Sequence, residues 1–185
     1  MPRRSMVKEA LPNELASESV AAARYEAYAE VAEREGFPNV ARLFRAIAYA
    51  ERVHARNHLK RLADVGAPEK LVAEAPIGLG RAGENLEYAM MGEKFEIEEM
   101  YPAYIALAKH YGDKAAEISF LYALEAEKMH YELFEKAEEH VDRGEDMPVE
   151  GHIWICPVCG YTVIGEEPPA KCPICGVLGK DLVEF

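Results

Sequence analysis

Glutamine is missing from these 185 residues, and asparagine occurs only four times. A shortage of heat-labile amides is found in proteins from hot environments, although compositional bias alone produces it too. No apolar run approaches the roughly 18 residues that a membrane span needs. The opening segment, MPRRSMVKEALPNELA, lacks the apolar stretch of a signal peptide, so the expectation is a cytoplasmic protein. Positive charge is also scarce. Against 33 Asp and Glu stand 21 Lys and Arg, a net charge of −12 that argues against nucleic acid or an anionic membrane as a partner. Only four cysteines occur, all inside two Cys-Pro-x-Cys-Gly motifs, which points to metal rather than disulfides.

Half of the chain is apolar, enough for one full domain and a small appendage. Residues from about 11 to 35 predict a first helix, with Leu11, Leu15, Val20, Ala23 and Ala27 as its apolar stripe and Gly36 as its stop. Pro38 opens a second helix running to about Asp64. Residues 67–80 carry Pro and Gly without a clear period and read as a long connection. A third helix spans about 81 to 111, with a kink expected at Pro102. Asp113 caps a fourth, from about 114 to 142. Two helical hairpins joined by a long connection predict an all-α four-helix bundle with one crossover over residues 1–146. Residues 147–185 hold every cysteine and the only tryptophan, Trp154, and form a separate module. A segment so small seldom folds on apolar burial alone and needs a staple such as a metal.

One pattern recurs in the helical part. Glu18 precedes Glu51 and His54 by 33 residues to the glutamate; Glu93 precedes Glu127 and His130 by 34. Residues three apart on a helix share a face, so each Glu-x-x-His aims two ligands at one spot. An isolated Glu-x-x-His is usually a solvated helix face. Two copies, each with a partner glutamate at matching distance, instead predict a box of four Glu and two His around two metal ions. Buried carboxylates must be protonated or metallated. Two ferrous ions balance Glu18, Glu51, Glu93 and Glu127 with both histidines neutral. Oxidation adds positive charge, which Glu96, three residues past Glu93 on the same face, can swing in to offset. The expectation is that Glu96 binds the oxidised site and His54 replaces it on reduction. His58 lies four residues past His54, but no acidic partner recurs with it, and it is left out of the site.

The knuckles Cys156-Pro-Val-Cys159-Gly and Cys172-Pro-Ile-Cys175-Gly supply four thiolates for a tetrahedral metal. Zinc and iron both accept four sulfurs, and the knuckles alone favour zinc. Trp154, Tyr161 and Phe185 are expected to form the module's aromatic core.

Four segments, ESVAAARY from Glu18, AERVH from Ala50, GEKFEIEEMYP from Gly92 and AEKMH from Ala126, resemble the helix motifs of rubrerythrins. The resemblance covers nearly the whole chain, cysteines included. It implies a ferritin-like bundle with Glu51 and Glu127 as bridging carboxylates, Glu18 and Glu93 as terminal ligands, and His130 as a permanent imidazole ligand. It matches Glu96 to the extra carboxylate that sets rubrerythrins apart from ferritins and bacterioferritins. Tyr25 and Tyr101 match tyrosines that hydrogen-bond to ligand carboxylates. Tyr25 is seven residues past Glu18 but Tyr101 is eight past Glu93, so the third helix must absorb one residue, for which a π-bulge is the usual device.

With the resemblance, iron rather than zinc is expected on the four thiolates of a rubredoxin-like module. The implied activity is a non-haem di-iron peroxidase that reduces hydrogen peroxide to water in oxidative-stress defence. Its electrons would come from a donor such as a reduced rubredoxin served by an NAD(P)H-dependent reductase. Within one chain the module is expected to sit far from its own bundle centre, and the resemblance answers with a head-to-tail homodimer. Two competing readings use the same residues: a ferroxidase or iron-storage protein, and a non-enzymatic protein holding zinc in the cysteines.

Overall fold

The computed structural model describes residues 6–66 and 77–185. Most of the connection expected over 67–80 lies outside the described residues. Two long helices, α1 (Val7–Arg34) and α2 (Pro38–Val65), form one hairpin. The second hairpin pairs a three-part rod with α5 (Lys114–Val141); the rod runs through α3 (Ala82–Phe95), a π-helical turn (Glu96–Met100) and α4 (Tyr101–Tyr111). None of these helices is long and apolar enough to cross a membrane.

α1 begins at Val7, earlier than the sequence suggested, and carries Pro12 inside it. Val7, Ala10 and Leu11 are buried in a cluster with Leu62, Tyr101, Ile105 and Phe120, and that packing outweighs the backbone hydrogen bond a proline cannot donate. The expected apolar stripe of α1 is also displaced. Ala23 is exposed, and Leu15, Val20 and Ala27 are only half-buried. The inward face instead presents Leu11, Glu14, Glu18, Ala21, Tyr25 and Tyr28, because this helix buries carboxylates among its apolar residues. The π turn falls between Glu93 and Tyr101, as the seven-versus-eight spacing required, and leads directly into Pro102. The irregularity assigned to Pro102 is thus a widened turn just before it, where the missing N–H costs least.

Capping draws on distant residues. Asp113 accepts a hydrogen bond from the Ala116 amide at 3.0 Å and an ion pair from Arg61 at 2.7 Å. The start of α2 has no side-chain cap of its own. Asp146, 107 residues from Asn39, accepts from the amides of Asn39 at 2.9 Å and Val40 at 3.2 Å. That carboxylate ties the end of the bundle to its second helix and sits at the positive end of the helix dipole.

Past Asp146 the chain forms β1 (His152–Ile155), β2 (Thr162–Gly165) and β3 (Val183–Glu184), an antiparallel sheet in the order β2-β1-β3. Alternation along β1 turns Ile153 and Ile155 toward the bundle, where they join the cluster built on Tyr25, Phe44 and Phe134. Trp154 and Tyr161 pack against the cysteines, as expected of them. Phe185 does not: it meets Tyr49 of α2 with ring centroids 5.6 Å apart. Its position at the chain end, next to strand β3, gives it the bundle surface rather than the module interior.

Replacing Asp146 by alanine should lower global stability by about 1 kcal/mol, the usual worth of an N-terminal helix cap. Urea unfolding followed by helical circular dichroism reads the loss; an unmoved midpoint would show that the cap contributes nothing.

Candidate metal centre

Six side chains from four helical rods meet in the bundle interior. Glu18, Glu51, His54, Glu93, Glu127 and His130 are each at most 2% exposed. The ligand-capable atoms of Glu18, Glu51, His54 and Glu127 lie within 4.8 Å of one another, and so do those of Glu51, Glu93, Glu127 and His130. Glu51 and Glu127 belong to both groups, Glu18 and Glu93 to one each. Two adjacent cation sites sharing two carboxylates are the direct reading of that overlap.

Distances repeat the pseudo-symmetry. His54 Nδ1 is 2.9 Å from Glu51, 2.8 Å from Glu127 and 3.7 Å from Glu18. His130 Nδ1 is 2.7 Å from Glu127, 3.2 Å from Glu51 and 4.0 Å from Glu93. One oxygen on each of the four glutamates has no aligned hydrogen bond: Glu18 Oε2, Glu51 Oε1, Glu93 Oε2 and Glu127 Oε1. Glu51 Oε1 and Glu127 Oε1 face the imidazole Nδ1 atoms, and Glu18 Oε2 and Glu93 Oε2 accept no hydrogen bond. That excess of buried acceptors round one point fits a pair of divalent cations. The donor set of carboxylate oxygens and imidazoles suits iron or manganese.

Electrostatics without a metal show the same demand. Burial and the neighbouring carboxylates hold Glu18 and Glu93 well above the usual carboxylate range. Burial also pushes Glu51 and Glu127 up, but the two imidazoles outweigh it and leave both below their ordinary values. His54 and His130 rise well above theirs despite burial, because Glu127, Glu18 and Glu51 favour the imidazolium.

Outside the six stands Glu96. It belongs to neither group, is 8% exposed, and accepts a hydrogen bond from Ser17 Oγ at 3.2 Å. The two tyrosines reach crosswise: Tyr25 of α1 donates to Glu93, and Tyr101 of α4 donates to Glu18.

The cysteine module covers the site. Cys156 and Cys175 have Sγ atoms 3.5 Å apart, Cys159 and Cys172 3.4 Å apart, and all four thiols are free of disulfides. His54 Nε2 donates to the Cys159 carbonyl at 3.1 Å. His130 Nε2 lies 3.0 Å from Thr162 Oγ1 and 3.4 Å from the Gly160 carbonyl. These acceptors keep the proton on Nε2 of each ring and leave Nδ1 for a metal. Gly160 permits the approach. Its φ is +80°, and a Cβ there would stand 2.1 Å from His54 Nε2. The expectation that the module sits far from its own bundle therefore fails. Arg42, Arg56 and Asn57 of α2 clamp the backbone carbonyls of Gly151, Pro157 and Val158, which holds the module against the bundle of its own chain.

The rubrerythrin family model matches residues 9–138, and that of the rubrerythrin rubredoxin-like domain matches residues 154–180. The chain belongs to the rubrerythrin family. Rubrerythrin-2 of Clostridium acetobutylicum is 41% identical over 175 residues, 95% of this chain and 94% of that protein. Nigerythrin of Nitratidesulfovibrio vulgaris is 35% identical over 168 residues, covering 90% of this chain and 80% of that one. The solved structure of fully reduced, all-ferrous nigerythrin gives a TM-score of 0.84 at 32% identity, over 100% of this chain and 92% of that chain. A bacterioferritin of Rhodobacter capsulatus gives 0.66 at 26% identity, over 77% of this chain and 89% of that chain. The bundle is ferritin-like with a di-iron site, and the cysteine module is rubredoxin-like, in keeping with a family of oxidoreductases.

Sequence reasoning missed several residues of this rubrerythrin site. Ser17, Gly160 and Thr162 matter through contacts that no spacing reveals. Glu14 was legible, being four residues before Glu18 on one face. It is fully buried beside Tyr101, its oxygens lack an aligned partner, and burial, helped by the charge on Glu127 and opposed by the Tyr101 hydroxyl, pushes it up to about 8. The folded state then keeps a proton that the unfolded chain releases above its ordinary value of 4.5. Stability conferred by the protonated form is lost as pH rises across that window, by up to about 1.4 kcal/mol per unit. Glu14→Gln should flatten the fall in thermal unfolding midpoint between about pH 5 and pH 8; parallel profiles for the two proteins would mean Glu14 is charged when folded.

Proposed function

We propose that this chain reduces hydrogen peroxide to water, with electrons entering through its four-cysteine site. The observation that carries the reading is the placement of Glu96 and His54. His54 stands inside the cluster and Glu96 waits outside it on Ser17, buried and within one helical turn of Glu93. A site meant only to hold metal has no use for a spare buried carboxylate. When bound, two ferrous ions at this site supply the two electrons that cleavage of the O–O bond takes up.

The roles of the chain follow from its geometry. Glu51 and Glu127 would bridge, Glu18 and Glu93 would each close one side, and His54 and His130 would ligate through Nδ1. Tyr25 and Tyr101 fix the terminal carboxylates by donating to one oxygen of each, which leaves the other oxygen free. Glu96 would leave Ser17 for the place that His54 holds if the site came to carry more positive charge. The successive carbonyls of Cys159 and Gly160 link the thiolate centre to His54 and His130 and would give re-reduction a short covalent and hydrogen-bonded route. Iron on Cys156, Cys159, Cys172 and Cys175 suits that task, since zinc carries no electrons. The external donor would be a small one-electron protein such as a reduced rubredoxin, recharged by an NAD(P)H-dependent reductase.

A ferroxidase would use the same helix ligands and consume dioxygen. Steady-state turnover of peroxide against dioxygen by the reduced protein separates the two, and faster consumption of dioxygen would overturn the proposal. Glu96→Ala should keep two irons per chain while slowing peroxide turnover on the order of 10- to 100-fold; unchanged kinetics refute the exchange. Cys159→Ser should spare a single turnover by pre-reduced protein and stop sustained catalysis with an external donor. Full steady-state activity in that variant would place electron entry elsewhere.

A further inference from the structure

We propose that Ser119, His58 and Tyr101 form a hydrogen-bonded proton path from the half-buried face of α5 to the Glu18 carboxylate. This rests on the peroxide reading above. Reduction of one H2O2 to two H2O takes two electrons and two protons. The electrons come one from each ferrous ion. The protons must come from solvent, yet all six clustered side chains are at most 2% exposed.

The three links share one direction. Tyr101 O–H donates to Glu18 Oε1. Its oxygen then remains an acceptor, 3.4 Å from His58 Nε2. A neutral imidazole with its proton on Nε2 keeps a lone pair on Nδ1, which lies 2.9 Å from Ser119 Oγ. Ser119 is half-buried, and His58 and Tyr101 are fully enclosed. Moving one proton along each bond delivers one proton to Glu18 and takes one from solvent at Ser119, and two such passages supply the two protons that the reduction consumes. The bonds re-form with reversed direction, and rotation of the two hydroxyls and exchange at the imidazole restore them. Phe120 packs on both rings, with centroids 5.4 Å from His58 and 6.2 Å from Tyr101.

The other half of the bundle serves as an internal control. Four residues past His130 stands Phe134, where His58 stands four past His54. Phe134 packs edge-on against Tyr25 at 5.3 Å, with Tyr28 and Phe44 closing round it. Tyr25 holds Glu93 in place and is backed by these rings and by the Arg24 guanidinium 5.9 Å from its centroid, with no hydrogen-bonded imidazole behind its hydroxyl among the described residues. Beside Tyr101, by contrast, lies the enclosed Glu14, whose carboxyl oxygens have no aligned partner. One tyrosine orients a carboxylate; the other both orients and conducts.

The test uses full-length protein loaded with iron. Ser119→Ala and His58→Leu should keep two irons in the bundle yet slow the single-turnover reaction of pre-reduced protein with peroxide on the order of 100-fold, the worth of an assisted proton transfer. Both should show a changed solvent deuterium isotope effect, and Ser119→Thr, which keeps the hydroxyl, should react as the native protein does. An independent readout needs no turnover. Nitrogen NMR of the zinc-loaded chain should show His58 neutral with its proton on Nε2. Native rates in His58→Leu, native rates in Ser119→Ala, or a His58 proton on Nδ1 would each overturn the path. A native protein inert to peroxide would sink the peroxide reading instead, and the tautomer would then decide the path.

Discussion

Four carboxylates share one dry pocket, and that is the constraint around which the rest of the molecule is arranged. Isolated charges in such a place are prohibitively costly, so the pocket must import positive charge. The protonation pattern shows that demand. Glu18 and Glu93 are driven toward their neutral forms, His54 and His130 toward their charged forms, while Glu51 and Glu127 stay ionised. Protons supply positive charge where no metal does, and divalent cations would take over that role, so loading the site exchanges protons for metal.

The same constraint divides the core. One apolar cluster gathers round Tyr25, Tyr28, Phe44 and Phe134, another round Leu11, Tyr101, Ile105 and Phe120, and the carboxylate layer keeps them apart. Each cluster touches the polar layer through a tyrosine, whose ring packs with its own side while its hydroxyl crosses to a glutamate from the other hairpin. Packing energy thus holds the hydroxyls, and the hydroxyls hold the ligands. The order of cause runs from aromatic packing to metal geometry.

What the sequence disclosed and what it hid follow from the kind of information involved. The clustering acids and imidazoles were legible because helical spacing converts sequence distance into a shared face, as with Glu51 and His54. The π turn was legible by the same arithmetic. The apolar stripe of α1 misled, since the inward face of that helix carries Glu14 and Glu18 and a count of apolar residues cannot credit them. Phe185 and Asp146 act across the interface between module and bundle, where no local period operates. His58 was set aside because no acid accompanied it; its partners are a tyrosine 43 residues away and a serine 61 residues away. The nearness of module and bundle depends on Gly160, whose missing side chain is informative only once His54 is known to lie against it.

The π turn shows how one inserted residue can serve two ends. On an unbroken α-helix, eight residues from Glu93 to Tyr101 would rotate the tyrosine about 80° away from the glutamate. Absorbing one residue reduces the interval to an effective seven, the same as between Glu18 and Tyr25, and brings the hydroxyl back to face the metals. Glu96 opens that turn. A residue placed there leaves the strict register of the helix, so its carboxylate can rest on Ser17 without dragging Glu93 from the cluster. The inserted residue that restores symmetry to the tyrosines also sets Glu96 one turn past Glu93, whereas α1 has no such turn and carries its own further buried carboxylate, Glu14, one turn before Glu18 and against Tyr101. Through a single widened turn the two halves of the site come to differ in what stands beside them, and that asymmetry is what the proposed exchange of Glu96 for His54 would use.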